Sequence, residues 1–447
     1  MTNVVFLVID SLRADKTYSN EKSSYTPNLD SLFKKGIYHE QAISCSDQTG
    51  TSLASIFTSK FPCNTNFNEF TFKPDEQLLF SELQKIKYDT YSFVPDIDFF
   101  KKLVSQFTDN TFYNFEEKKY WKKLHEGLGT EIISKMPHSK NPWFYFVHIM
   151  DIRPPFDVPE SFDSEKFGKT KYDRLVSSID AWLGKLLEKI DFENTIFVLT
   201  SDHGEYIPAT EKFDNKTPKL QKMISKTTKS KPFLEKLGLK AVMNVRFAYQ
   251  TYQKEKLKYE LTPLQLRSLN SRAAIDLFDE LICVPLLFVG KNIPKKQVVS
   301  DLVRHVDIFP TLLSLLEIDT PSNLDGVNLS PLWKNEKLDE VNGYLEVGIN
   351  AAQLIDEKKE IFPKVIGLRT PSHKYYRMRD DSKKHVHVFD LKTDPYEENN
   401  LAEKNPDLVN TLEKQLQALF TDKTKKSNLS EDEIKKARDL LLKLGYI

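Results

Sequence analysis

The chain has 447 residues, with 64 basic and 64 acidic side chains and no formal net charge, which argues against a protein held on nucleic acid by its global field. With 40% hydrophobic and 12% aromatic residues it can build a sizeable core, which excludes disorder over most of its length. Its three cysteines, Cys45, Cys63 and Cys283, are too few and scattered for a disulfide framework, and no CxxC pair suggests a zinc site.

The first apolar run, Val4 to Ile9, is six residues long, short of the ~20 that span a membrane and the ~7 of a signal segment. No transmembrane or targeting segment is expected, and the expected location is the cytoplasm. Asn3 to Asp10 is continuous and β-branched, the pattern of a strand buried on both faces. Helical patterns follow at Leu29 to Lys35 and Ser52 to Thr58. Trp143 to Ile149 reads as a second buried strand, Tyr172 to Lys189 as a helix, and Thr195 to Thr200 and Val284 to Val289 as further buried strands. This alternation predicts an α/β fold, a doubly wound, mostly parallel sheet flanked by helices.

Residues 207–272 stand apart, with 15 Lys/Arg against 5 Asp/Glu and a local net charge of +10. Leu234, Leu237, Leu239, Val242 and Phe247 supply apolar positions, so the segment is expected to be a partly helical insert. From about Asn342 the chain turns polar and strand-like and ends in a helical pattern from Ser430 to Ile447. The expected organisation is a catalytic α/β domain over 1–341, carrying the insert, and a smaller α+β C-terminal subdomain over 342–447. The basic insert alone would support nucleic-acid binding, and no motif of a known reader accompanies it, so nucleic acid is not an expected partner.

In doubly wound sheets, ligands bind beyond the carboxyl ends of the strands. The first strand ends in Asp10, the second in His148 and Asp151, and the third in Asp202-His203-Gly204-Glu205. Any one of these alone reads equally well as a strand-end cap. Asp10, Asp202 and His203 on one rim read as a divalent-cation site; oxygen ligands favour Mg or Ca, and the imidazole shifts weight to Mn or Zn. Thr49 precedes a helical segment starting near Thr51. A hydroxyl there meets free backbone N–H groups and the positive end of the helix dipole, which would hold a phosphoryl or sulfuryl group. Locally, Thr49 or Thr51 also reads as a simple N-cap.

A set of ordered motifs narrows the choice. Asp10-Ser-Leu-Arg13-Ala-Asp15, Thr26-Pro-Asn-Leu-Asp30, Ser201-Asp-His-Gly-Glu205, Leu277-Phe-Asp-Glu280, Val306-Asp-Ile-Phe-Pro-Thr311 and Asp394-Pro-Tyr-Glu397 run in the order of the sulfatase family. The chain resembles that family, within the alkaline phosphatase superfamily, from residue 3 to 447. The resemblance implies an alkaline-phosphatase-like fold, a metal held by Asp10, Thr49, Asp202 and His203, and Thr49, counted back from Pro62, as the nucleophile. The implied reaction is a double displacement on an anionic ester, of a saccharide or a lipid headgroup, through a covalent Thr49 ester.

The departures bear on the substrate. Sulfatases oxidise a Cys or Ser to a formylglycine aldehyde, which Thr cannot yield because its Cβ carries a methyl. Ser11 stands where those enzymes have a second acidic ligand, Leu53 replaces an Arg, Arg153 replaces a His, and the His before Leu277 is absent. A Thr nucleophile with one Asp, Asp, His metal site resembles the phosphoethanolamine and phosphoglycerol transferases of the superfamily, so transfer or hydrolysis of a phospho group is favoured. The alternatives are a sulfuric ester hydrolase without formylglycine and an inactive anion-binding protein. Arg153 is the candidate for the equatorial oxygens and His148 for protonating the leaving oxygen. His305 and Lys374 are further candidates, Glu205 is expected to orient His203, and Arg13 with Asp15 is expected to form a structural pair.

Overall fold

The computed structural model describes residues 2–20, 22–65, 72, 78–114, 123–154, 156–209, 245, 248–270, 275–349 and 364–421. An eight-stranded sheet comprises β1 (Asn3–Ile9), β2 (Gly36–Ile43), β3 (Asp89–Pro95), β4 (Asp109–Tyr113), β5 (Trp143–Ile149), β6 (Thr195–Thr200), β7 (Cys283–Gly290) and β8 (Gln297–Arg304), in the order β4-β3-β5-β1-β6-β7-β2-β8. Strands β4, β3, β5, β1 and β6 run parallel, β2 and β8 pair in parallel, and β7 runs antiparallel to both its neighbours. The expected mostly parallel α/β sheet is present. The Val284–Val289 run, read as one of its parallel members, lies inside the reversed strand.

Alternation along β1 divides the core. Val4, Phe6 and Val8 face one layer, together with Phe144, Phe146, Ile196 and Val198. Val5, Leu7 and Ile9 face the other, with Tyr145, Val147, Phe197 and Leu199. Helix Thr49–Thr58 covers the first face through Leu53, Ala54, Ile56 and Phe57. The second face is covered by helix Lys171–Leu187, through Tyr172, Val176, Ile179 and Leu183, and by helix Pro27–Phe33. A capping box between Thr170 and Asp173 starts the longer of these.

A second sheet of β9 (Gly343–Glu346), β10 (Val365–Arg369), β11 (His373–Met378) and β12 (His387–Asp390) is antiparallel, in the order β12-β11-β10-β9, and packs with helix Pro406–Ala418. It forms the small C-terminal α+β subdomain. β9 reaches the large sheet: the Glu346 amide donates to the Cys45 carbonyl at 2.8 Å, and Ser46 bridges to Glu346.

Residues 210–244 of the insert, Phe247 and the Ser430–Ile447 pattern lie outside the described residues. The described part of the insert is helical at 248–257 and at Pro263–Arg267. Its two ends meet, the Ala209 amide donating to Ser268 Oγ at 3.0 Å. Among the described residues no helix is long and apolar enough to cross a membrane.

Candidate active site

The pleat that sorts the core also builds the site. Val8 is level with His148 on one side and with Thr200 on the other. Side chains alternate along a strand, so Asp10 continues the Val4-Phe6-Val8 face, His148 the Phe144-Phe146 face, and Asp202 the face of Ile196 and Val198. Three adjacent parallel strands thus send Asp10, His148 and Asp202 toward the layer covered by helix Thr49–Thr58. All three are fully buried, and their ligand atoms lie within 4.8 Å of one another.

The helix brings Thr49 to the same point. Thr49 is its first residue, whereas the sequence pattern places the start two residues later. Gln48 occupies the cap position without a side-chain cap bond. Its amide is committed elsewhere, donating to the Ile349 carbonyl at 2.9 Å and accepting from the Ile349 amide at 3.2 Å. A Cβ on Gly348 would fall 2.0 Å from Gln48, so this clamp requires glycine. Asp47 is fixed beside it, accepting from the Gly348 amide at 2.7 Å. The C-terminal subdomain therefore holds the entry to the helix, and the first-turn N–H groups have no capping side chain from Gln48. Thr49 Oγ1 lies 3.4 Å from Asp10 Oδ2 and 3.3 Å from His203 Nε2.

The loops carrying the carboxylates are tied to each other. Ser11 adopts φ +65°, its Oγ donates to Asp10 Oδ1 at 2.6 Å, and its amide donates to Asp202 Oδ1 at 3.1 Å. The Leu12 amide donates to Ser201 Oγ, which in turn donates to the His203 carbonyl. Burial opposes charge on Asp202, yet His203 and His148 hold its carboxyl well below the usual range. His203 Nδ1 sits 2.8 Å from the Gly204 carbonyl, and His203 Nε2 is 3.5 Å from Asp202 Oδ2. A backbone oxygen therefore meets His203 Nδ1. Glu205 Oε1 accepts from the Tyr206 amide, and the Glu205 carbonyl accepts from Arg13. A Cβ on Gly204 would lie 2.0 Å from the Glu280 carbonyl, so only glycine lets this loop approach helix Asp279–Ile282.

Arg13 forms the expected pair, its Nε and Nη2 bonding both oxygens of Asp15 at 2.8 and 2.9 Å. His148 is 3.6 Å from Asp202 Oδ2, and neither of its ring nitrogens has a hydrogen-bond partner among the described residues. His305 is buried close by, and burial pushes its pKa down to about 3 against the pull of Asp202. Arg153 is half-buried at the mouth of the strands. It and Asp10 act with opposite sign on Tyr113, whose hydroxyl donates to the His148 carbonyl at 3.1 Å. Asp151 accepts from the Leu124 amide at 2.9 Å.

Lys374 is placed elsewhere. Its Nζ is fully buried in the C-terminal sheet, 2.5 Å from Asp279 and 2.7 Å from Glu397. The residue suggested as a candidate for the reaction is a staple between the subdomain and the loop that packs on Gly204. Ser11, Ser201 and Gln48 were not singled out as site residues in the sequence, although the first two stand inside the Asp10 and Ser201 motifs.

Two atoms bound to one cation at ~2.0–2.3 Å lie ~2.8–3.8 Å apart at the angles of tetrahedral and octahedral sites. The Thr49–Asp10, Thr49–His203, His203–Asp202 and His148–Asp202 separations fall in this range. Asp202 Oδ2 has no hydrogen-bond partner despite full burial. The donor set therefore fits a divalent ion.

Residues 2–318 match the family described as Sulfatase, and residues 275–424 match the C-terminal region of N-sulphoglucosamine sulphohydrolase. An ulvan-active sulfatase of Formosa agariphila is 24% identical over all of this chain and 84% of its own length. Arylsulfatase K of Gallus gallus is 36% identical over 138 residues, 30% of this chain, and the match spans 25% of that relative. The fold is shared with a phosphonate monoester hydrolase from Silicibacter pomeroyi, at TM-score 0.65 and 14% identity over 94% of this chain and 95% of that one. With its family match covering well over half its length, this chain belongs to the sulfatase family.

Proposed function

We propose that the protein is a metal-dependent hydrolase or transferase of anionic esters that works through a covalent ester on Thr49, with a phospho group favoured over sulfate. The observation that carries this reading is the position of Thr49 Oγ1, at an uncapped helix N-terminus, 3.4 Å from Asp10 Oδ2 and 3.3 Å from His203 Nε2. Asp10, Thr49, Asp202 and His203 would hold the cation, which supplies Lewis-acid charge.

Thr49 Oγ1 attacks the phosphorus, its bond to phosphorus forming as the bond to the leaving alkoxide breaks. Asp10 Oδ2 is placed to accept the Thr49 proton. First-turn N–H groups of the helix face the equatorial oxygens, and Arg153 offers two further donors at the mouth. Water or an acceptor alcohol then attacks the Thr49 ester and releases the group. The phospho preference follows from Thr49 itself: its Cβ methyl closes the formylglycine route, and an alkoxide nucleophile serves phosphoryl transfer directly. The matched N-sulphoglucosamine sulphohydrolase region and the ulvan-active relative support a saccharide-borne ester as substrate. They also favour the second reading, a sulfuric ester hydrolase that dispenses with formylglycine.

The test is turnover of aryl phosphate monoesters, diesters and sulfates by the metal-free and metal-loaded protein. Phosphoester turnover that depends on added cation supports the proposal. Turnover confined to aryl sulfates establishes the second reading, and none on any ester overturns both.

A further inference from the structure

We propose that His148 is an additional protein ligand of the cation, and that the resulting set of two carboxylates and two imidazoles selects a zinc-like ion over magnesium and calcium. The inference rests on the metal site described above and goes beyond it, since the sequence assigns His148 to the leaving group.

Four observations converge on this role. His148 is fully buried at the end of β5, directly beside β1, and its ligand atom lies within 4.8 Å of those of Asp10 and Asp202. Both its ring nitrogens lack hydrogen-bond partners among the described residues, which is costly for a buried polar group unless a ligand satisfies it. Its Nε2 is 3.6 Å from Asp202 Oδ2, too long for a hydrogen bond and suited to two donors on one ion. Finally, Ser11 turns its hydroxyl onto Asp10 Oδ1 and its amide onto Asp202 Oδ1, so it orients carboxylates and leaves a coordination position to another side chain.

Packing fixes the His148 ring. Its centroid lies 4.7 Å from that of Phe100 and 6.5 Å from that of Phe146. Two aromatic rings on this side hold the imidazole beside Asp10 and Asp202, which suits a fixed ligand. Two imidazoles weight the site toward zinc and its transition-metal neighbours, whereas all-oxygen sets suit magnesium and calcium.

The test uses the full chain stripped of metal and titrated with Zn2+, Mg2+ and Co2+. The expected result is one Zn2+ bound at least a hundredfold more tightly than Mg2+. His148→Ala and His148→Gln should each weaken Zn2+ at least tenfold, leave Mg2+ within threefold, and alter the visible d–d band of bound Co2+. Should both variants fail to fold, the wild-type Co2+ protein decides. Two exchangeable, hyperfine-shifted imidazole N–H proton signals are expected if His148 and His203 both ligate. One such signal overturns the assignment, as does unchanged Zn2+ affinity and Co2+ spectrum in folded variants. A wild-type protein that binds none of the three ions overturns the cation site itself, and this inference with it.

Discussion

At the scale of single residues, the proposed reaction depends on Thr49 more than on any other hydroxyl. Thr49→Ala removes one hydroxyl and one methyl, so unfolding free energy should change by no more than about 1 kcal/mol, while turnover falls by at least a thousandfold. Thr51→Ala should leave turnover within about tenfold, because Thr51 stands two residues into the helix; comparing kcat for the two variants separates them. Asp10 and Asp202 were legible in the sequence because each ends a run of buried strand residues. The contact of His203 Nδ1 with the Gly204 carbonyl was not legible, because no side-chain pattern announces a carbonyl. Likewise, Ser11 read as the loss of an acidic ligand, whereas its φ of +65° and its two bonds to carboxylates become visible only when β1 and β6 lie side by side. A buried histidine outside the site gives a pH signature. His39 is fully buried on β2, accepts from Trp333 Nε1 at 3.2 Å, and burial pushes its pKa down to about 3. The unfolded chain takes up a proton at His39 below about pH 6.5 and the folded chain does not, so stability is fully present above that pH and is lost as pH falls toward 3. The slope due to this one group is about 1.4 kcal/mol per pH unit. In urea titrations between pH 6.5 and 5, His39→Gln should flatten the loss of stability by that amount.

At the scale of elements, buried strands declare themselves and their direction does not. β7 is apolar on both faces just as β1 is, so its reversed direction leaves no trace in hydrophobicity. Four strands went unread: β2 carries His39, Glu40 and Gln41, β3 and β4 each begin at an aspartate, and β8 alternates with exposed Ser300 and Asp301. The role of Lys374 stayed open in the sequence for a related reason, since a lysine inside a family-like motif looks the same whether it meets substrate or a salt bridge. In the fold it neutralises Asp279 and Glu397, and Arg369 stands 3.8 Å from Asp279. Lys374→Met leaves the buried Glu397 and the partly exposed Asp279 without their main cation and should cost ~3 kcal/mol. Adding Glu397→Gln should restore part of that loss, measured as the shift in urea midpoint of the double variant against the single one. Because this staple holds the loop beside Gly204, Lys374→Met should lower activity only as far as it lowers the folded fraction.

At the scale of the whole molecule, two sheets converge on one helix start: the parallel sheet delivers Asp10, His148, Asp202 and His203, and the C-terminal subdomain clamps Gln48. Fold class and the convergence of strand ends were legible because hydrophobic periodicity and the carboxyl-end rule need no coordinates. The clamp was not, because Gln48 and Ile349 are 301 positions apart. The insert adds a charge of +10, and its ends meet at Ala209 and Ser268, a few residues beyond His203. Replacing several of its lysines by Gln should raise KM for a large polyanionic substrate by about tenfold at low salt and flatten the salt dependence. Turnover of a small aryl ester should stay unchanged; equal loss on both substrates would mean that the insert builds the pocket itself. The claim that joins these parts is the covalent Thr49 ester, and intact-mass spectrometry of the metal-loaded protein, quenched in acid during turnover of an aryl phosphate, tests it most directly. The account predicts a species heavier by one phosphoryl group, mapped by peptide fragmentation to Thr49 and absent from Thr49→Ala. Full turnover with no adduct at Thr49 at any quench time, together with activity retained in Thr49→Ala, would contradict it.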